Sequence, residues 1–149
     1  MNPEDVPPDV IMIPSNRKFG GWGLKVYWWE EQTYPEFKKF RVEKVRSLFY
    51  LKKFARHFKV YCPRLSSIQK RGGGHYRPSG YGNALIALPK NPSLGLICHE
   101  FAHHLDAILH PDTAQWHGKS FRRELKKVYT FAKRYLPETQ KTPPPEEVS

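Results

Sequence analysis

Three stretches of the chain repeat apolar residues at the three- and four-residue spacing of an amphipathic helix. They cover residues 36–59, 93–109 and 117–135. Ser93 is a favourable N-cap for the second stretch, and Pro111 follows its end. We therefore predict three helices. The first and third carry basic residues between their apolar positions, so we expect two basic helices flanking the middle one.

Shorter apolar runs predict strands. Residues 24–29 read as a strand or hairpin arm, residues 65–70 as a strand, and residues 84–88 as a buried or edge strand that ends before Pro89. Residues 75–83 read as turns after a glycine-rich connection. The prediction is an α+β domain over residues 19–136, with a small mixed β-sheet. An extended segment over residues 1–18 precedes it, and a disordered Pro-rich tail over residues 137–149 follows it.

Length and composition narrow the class of protein. The chain has 149 residues, 39% of them hydrophobic, which suits one domain and excludes a wholly disordered chain. It has no apolar run of about 18 residues, so we expect no membrane contact. Two cysteines cannot form a disulfide framework or a four-cysteine zinc ribbon. We expect a cytoplasmic, intracellular protein; small size and few cysteines favour a bacterial or phage source, and the oligomeric state stays open.

The net charge of +11 is unevenly distributed. Residues 36–71 hold twelve basic and two acidic residues, and residues 119–136 hold seven basic and one acidic residue. Such blocks attract polyanions by releasing condensed counterions. Solvated helix faces are the other explanation. Nucleic acid is therefore a candidate partner, through the basic helices 36–59 and 119–134.

The middle helix carries the sequence His99-Glu100-Phe101-Ala102-His103, which matches the pattern HExxH. Residues four apart on a helix lie one turn above each other, so both imidazoles could bind one zinc ion. Glu100 lies off that face and could act as the general base. At 100° per residue, His99, His103, Asp106 and His110 share the face opposite the apolar stripe, as expected for a helix that lines a cleft. A His-rich surface helix is the alternative.

A catalytic zinc needs a third protein ligand, for which spacing offers three candidates. His110 lies one residue beyond the metzincin position, and Asp106 replaces the glycine of that motif, so this candidate fails. Glu124 follows His103 by 21 residues, close to the thermolysin-type separation. His117 follows His99 by 18 residues and would complete a three-histidine site. Spacing alone leaves Glu124 and His117 open.

Residues 99–103, followed by His117-Gly118-x-x-Phe121, resemble the SprT-like zinc metallopeptidases, which are related to the Spartan-type DNA–protein crosslink proteases. The resemblance covers roughly residues 36–135, and its specific part is residues 99–121. It implies a zincin-like fold, Zn²⁺ bound by His99, His103 and His117, and Glu100 as catalytic base. Many members add a four-cysteine zinc ribbon, which this chain cannot form, so the resemblance is to a minimal version.

We therefore predict a zinc-dependent metallopeptidase that hydrolyses peptide bonds by Glu100-assisted attack of zinc-bound water. Its substrates would be proteins or peptides, with DNA-associated proteins favoured by the charge. The strand at residues 84–88 would pair with the extended substrate. The alternative is a basic nucleic-acid-binding protein with a structural or vestigial zinc site, although such a site needs no base. A zinc hydrolase acting on another substrate also fits the sequence.

Other polar residues near the motif have weaker predictions. Glu124 is either the alternative ligand, a carboxylate that bonds to a ligand, or a salt-bridged helix residue. Asp106 could orient a ligand imidazole or bind substrate, but an exposed helix acid is favoured. Cys98 is predicted to be a core thiol, and His104 incidental. The residues that could reach the oxyanion, or merely cover the core, are His75, Tyr76 and Tyr81.

Overall fold

The computed structural model describes residues 22–67, 74–78, 82–113 and 117–137. In chain order the elements are the helices α1 (Trp22–Thr33), α2 (Pro35–Lys39) and α3 (Lys44–Phe58), the strands β1 (Arg64–Ser67), β2 (His75–Arg77) and β3 (Leu85–Leu88), and the helices α4 (Leu94–Leu109) and α5 (Lys119–Ala132). A 3₁₀ turn, Lys133–Tyr135, follows α5. The predicted α+β class is confirmed. The predicted extended segment, and all but the first residue of the predicted tail, lie outside the described residues.

The sheet is mixed, as predicted, with the strand order β1-β3-β2. β3 pairs in parallel with β1 and antiparallel with β2. Its side chains are largely buried, because α4 covers the sheet. β2 corrects the prediction of turns throughout residues 75–83. The expected pairing of residues 84–88 with a substrate is also wrong, because β3 is hydrogen-bonded on both sides.

The predicted strand at residues 24–29 is wrong, since these residues belong to the helix α1. The buried positions of α1 are Val26, Trp29, Glu30 and Thr33, which follow the helical spacing i, i+3, i+4 and i+7. The β-branched and aromatic residues of this stretch suggested a strand. Tertiary burial of one helical face outweighs that weak propensity.

The predicted helix over residues 36–59 is divided into α2 and α3. Between them, the backbone of residues 40–42 pairs with residues 92–94: Val42 N donates to Pro92 O (2.8 Å), and Leu94 N donates to Phe40 O (2.9 Å). These bonds to a distant segment replace helical ones. Val45, an apolar residue within the predicted helix, is 80% exposed.

α4 begins where the sequence predicts, because the Ser93 hydroxyl accepts a hydrogen bond of 3.0 Å from Leu96 N. Its apolar side packs on α3 and the sheet, with Phe101 against Phe54. α5 packs along α4 and buries Phe121, Leu125 and Val128. None of the helices in the described ranges has the length and apolar character that a bilayer crossing requires.

Candidate metal centre

Three histidines from two segments converge at the contact between α4 and α5. His99 and His103 lie one turn apart on α4, and His117 precedes α5. One donor atom from each lies within 4.8 Å of the other two, and no other His, Cys, Asp or Glu group in the described ranges forms such a cluster. The structure thus brings together the three residues predicted as metal ligands, and they could hold a metal ion.

The separation of the donor atoms suits a tetrahedral ion. Metal–nitrogen bonds of 2.0–2.1 Å at tetrahedral angles place two donor nitrogens about 3.3 Å apart. The Nε2 atoms of His99 and His117 are 3.2 Å apart. Two lone pairs at that distance repel, so a proton or a cation must lie between them. The arrangement therefore suits either a hydrogen bond between the two rings or a cation bound by the lone pairs of both.

Burial keeps two of these imidazoles in the neutral form that metal binding needs. Burial, followed by the charges of His99 and His117, lowers the pKa of His103 to about 2. Burial, followed by the charges of His99 and Arg122, lowers the pKa of His117 to about 4. Burial acts in the same direction on His99, but the charge and hydrogen bond of Glu30, together with the charge of Glu100, outweigh it and raise that pKa.

Glu30 of α1 is a site residue that the sequence reading missed. Its Oε2 accepts a hydrogen bond of 2.8 Å from Nδ1 of His99, and its Oε1 accepts one of 2.6 Å from Oη of Tyr129. The signal in the sequence was the helical spacing of Val26, Glu30 and Thr33, which places this carboxylate on the buried face. Assignment of residues 24–29 to a strand concealed it.

Glu100 is buried beside the histidines, with 2% of its surface exposed. Burial raises its pKa to about 7; His99 opposes this shift, and Glu30 adds to it. A carboxyl group with that pKa can accept and return a proton near neutral pH, as a general base must. Gly74, the residue directly before β2, lies next to this side chain: a Cβ added at Gly74 would lie 3.4 Å from Cγ of Glu100.

Tyr27 covers the site from α1. Its ring stacks on His99 with centroids 4.4 Å apart, and its centroid lies 6.2 Å from that of His117. It is 40% exposed, so one side of the ring faces solvent. Burial of the rest, and the charges of Glu100 and Glu30, raise the pKa of its hydroxyl, which therefore keeps its proton. The sequence reading did not single out Tyr27.

Glu124 lies outside the histidine cluster. It is buried on α5, where its Oε1 accepts hydrogen bonds of 3.3 Å from Nε2 of His110 and from Nζ of Lys127. Asp106 is buried as well and accepts a hydrogen bond from the Ser120 hydroxyl. Both acids tie α4 or the segment after it to α5. The expectation that Asp106 is an exposed acid is wrong.

His104 is a structural residue of the core. Its Nδ1 accepts a hydrogen bond of 2.9 Å from the Tyr76 hydroxyl, and its Nε2 donates one of 2.8 Å to the carbonyl of Tyr61. Of the three residues considered for the oxyanion, the Tyr76 hydroxyl is hydrogen-bonded to His104 and His75 is exposed. Tyr81 lies outside the described residues. Cys98 is fully buried, and burial raises the pKa of its thiol, as expected of a core cysteine.

The chain matches no protein-family model, no curated protein and no solved structure. The likeness to the SprT-like family therefore rests on the residues between His99 and Phe121.

Proposed function

We propose that this protein is a zinc metallopeptidase that hydrolyses peptide bonds. The observation that supports this most is the combination of three converging imidazoles with the buried carboxyl group of Glu100, which follows His99 on α4 and interacts electrostatically with it. A structural zinc site is usually closed by four protein ligands, whereas a catalytic one has three and keeps a position open. His99, His103 and His117 fit the catalytic set.

Each residue has a task in this reaction. Zinc held by the three histidines would supply a Lewis acid and lower the pKa of a coordinated water to about 7. Glu100 takes a proton from the attacking water and passes it to the amine that leaves. The Tyr27 hydroxyl keeps its proton at neutral pH, so it can donate a hydrogen bond to a substrate oxygen that comes within its reach.

β2, rather than β3, is the strand available to an extended substrate. It pairs with β3 on one side, and the described strands leave its other side unpaired. Gly74, which directly precedes β2, lies against the side chain of Glu100. A peptide added to this edge through backbone hydrogen bonds would run past the catalytic carboxyl group with little dependence on its sequence.

The distribution of charge favours substrates that are bound to nucleic acid. The cations Lys44, Arg46, Lys52 and Arg56 of α3 are exposed, as are Lys119, Arg123 and Lys127 of α5. Both helices pack on α4, which carries the site. Exposed cations of this kind also support the alternative function, a nucleic-acid-binding protein with a structural or vestigial zinc site.

Cleavage assays with Glu100→Gln test the proposal. Zinc-loaded wild-type protein should cleave casein or a DNA-bound protein, and the variant should lose about 10²–10⁴-fold in rate while it keeps zinc. Glu43→Gln, at an exposed position before α3, is the matched control and should cleave like wild type. If wild type and Glu100→Gln are equally inert while both bind DNA tightly, the binding-protein alternative is correct.

Zinc stoichiometry tests the ligand set separately. His117→Ala should lose stoichiometric zinc, because only two of the three imidazole ligands would remain. Glu124→Ala should keep it, since this carboxylate bonds to His110 and Lys127. The reverse result, with zinc retained in the first variant and lost in the second, would show that Glu124 is the third ligand.

A further inference from the structure

The carboxylate of Glu30 lies against the outer nitrogen, Nδ1, of the proposed ligand His99. It comes from α1, a helix outside the HExxH and HGxxF segments, and only 6% of its surface is exposed. Its Oε2 lies 2.8 Å from Nδ1 of His99. A carboxylate can only accept this bond, so Nδ1 of His99 carries a proton.

A proton on Nδ1 decides which nitrogen of His99 faces the cluster. In the neutral ring the lone pair is then on Nε2, the atom that lies 3.2 Å from Nε2 of His117. Without an acceptor at Nδ1, a neutral imidazole can carry its proton on either nitrogen, and a proton on Nε2 prevents metal binding. Glu30 therefore holds His99 in the one tautomer that can serve as a ligand here.

The carboxylate itself is fixed by Tyr129 of α5. The Tyr129 hydroxyl donates a hydrogen bond of 2.6 Å to Oε1 of Glu30. The ring of Tyr129 stacks on Tyr34 with centroids 4.2 Å apart and meets Phe37 edge-on at 4.9 Å. Gly95 of α4 leaves room for the hydroxyl, since a Cβ at that position would lie 3.3 Å from Oη of Tyr129.

We propose that Glu30, held by Tyr129, is a positioning residue that orients His99 for metal binding. In this role α1 contributes a hydrogen-bond acceptor to the proposed metal site. This inference rests on the proposed metal site. Partners of this kind typically affect metal affinity by 10–100-fold, because they set both the orientation and the basicity of the ligand. Glu30 acts through His99 and has no contact with substrate in this role.

Zinc affinity, measured by competition with a chromophoric chelator, tests the proposal without any activity assay. Glu30→Leu fills a similar volume but has no acceptor, and should bind zinc roughly 10–100-fold more weakly than wild type. Tyr129→Phe removes only the hydroxyl and should weaken binding by roughly two- to tenfold. Glu31→Leu is the matched control, because Glu31 is exposed, bonds to Lys38 and should leave the affinity unchanged.

A second readout separates positioning from a purely structural role. In zinc-free protein, long-range ¹H–¹⁵N spectra of the His99 ring should show the proton on Nδ1 in wild type and on Nε2 in Glu30→Leu. If wild-type protein binds no zinc, the metal site and this inference both fail. If wild type binds zinc and Glu30→Leu binds it equally well with an unchanged tautomer, only this inference fails. Should Glu30→Leu not fold, an unchanged affinity of Tyr129→Phe overturns it instead.

Discussion

His117 occupies its position with a left-handed backbone, at φ 61°. Residues other than glycine rarely adopt this conformation, which costs roughly 1–2 kcal/mol for a side chain that cannot bond locally. Nη1 of the buried Arg122 donates a hydrogen bond of 2.7 Å to the carbonyl of His117, and the imidazole of His117 packs on the ring of Phe121. Both contacts stabilise this conformation. The strained backbone occurs at the residue whose imidazole turns back towards α4. Strain of this kind is concentrated at functional sites, so it is consistent with a functional role for His117.

Two substitutions at His117 separate the backbone strain from the metal. His117→Gly and His117→Ala both remove the imidazole, and both should lose stoichiometric zinc. Without zinc, the glycine variant should be more stable than the alanine variant by about 1 kcal/mol, because glycine adopts positive φ without a steric cost. Urea unfolding of both variants in a chelator measures the difference. Equal stabilities, or a more stable alanine variant, would contradict the assigned conformation.

At the scale of elements, α4 shows how much of the site the sequence contains. Its bounds, its Ser93 cap and the facing pair His99 and His103 follow from local chemistry and helical spacing, and the structure confirms them. The helical spacing of α1 is visible in the sequence, but its contact with α4 and the break between α2 and α3 depend on distant residues: Glu30 bonds to His99, and Val42 bonds to Pro92. No local pattern encodes such pairings, so the sequence could not predict them.

His104 joins α4 to β2 and to Tyr61, and this bonding has a consequence for stability against pH. Burial lowers the pKa of His104, although its bond to the Tyr61 carbonyl opposes the shift. Below pH 6.5, His104 is therefore protonated to a greater extent in the unfolded chain than in the folded protein. The stabilisation is present above pH 6.5 and is lost as the pH falls, by at most about 1.4 kcal/mol per pH unit.

The variant His104→Gln isolates this contribution, because a glutamine can hydrogen-bond but cannot titrate. Urea unfolding in a chelator between pH 7 and pH 5 should show a smaller loss of stability for His104→Gln than for wild type. Two parallel curves would show that His104 is protonated equally in both states.

Gly74 lies between the edge strand β2 and the side chain of Glu100, the proposed general base. A Cβ there would lie 3.0 Å from the backbone oxygen of Ala87 and 3.3 Å from Cδ2 of Leu88, so β2 would have to move away from β3. We expect Gly74→Ala to lower the free energy of unfolding by about 1–3 kcal/mol. It should also lower the cleavage rate more than the zinc affinity, because the displaced strand contacts Glu100, whereas the three histidines lie on α4 and before α5.

Gly82→Asn is the comparison for this prediction. An added Cβ at Gly82 has nothing within 4 Å, and asparagine tolerates its positive φ of 77°. This variant should keep cleavage and lose at most about 1 kcal/mol of stability, which is the cost of positive φ for a side chain that can bond locally. A Gly74→Ala protein that unfolds and cleaves like wild type would mean that β2 lies further from Glu100 than the structure places it.

At the scale of the whole molecule, the metal centre is where separate parts of the fold meet. His99 and His103 come from α4, His117 from the segment before α5, and Glu30 from α1. His117 and Glu30 lie far along the chain from His99 and His103, so the complete site exists only in the folded state, which would bind a metal ion much more tightly than the unfolded chain. Metal binding and folding are therefore expected to be coupled.

Thermal unfolding measures this coupling. Free zinc at 100 times its dissociation constant should stabilise the folded protein by about 2.7 kcal/mol, which for a chain of this size raises Tm by roughly 5–11 °C. Mg²⁺ at the same concentration should have no effect, because it prefers oxygen ligands. His117→Gly, tested beside wild type, should show little or no increase with zinc. An equal increase in both proteins would place the bound zinc at groups other than these three histidines and would remove the structural basis for hydrolysis.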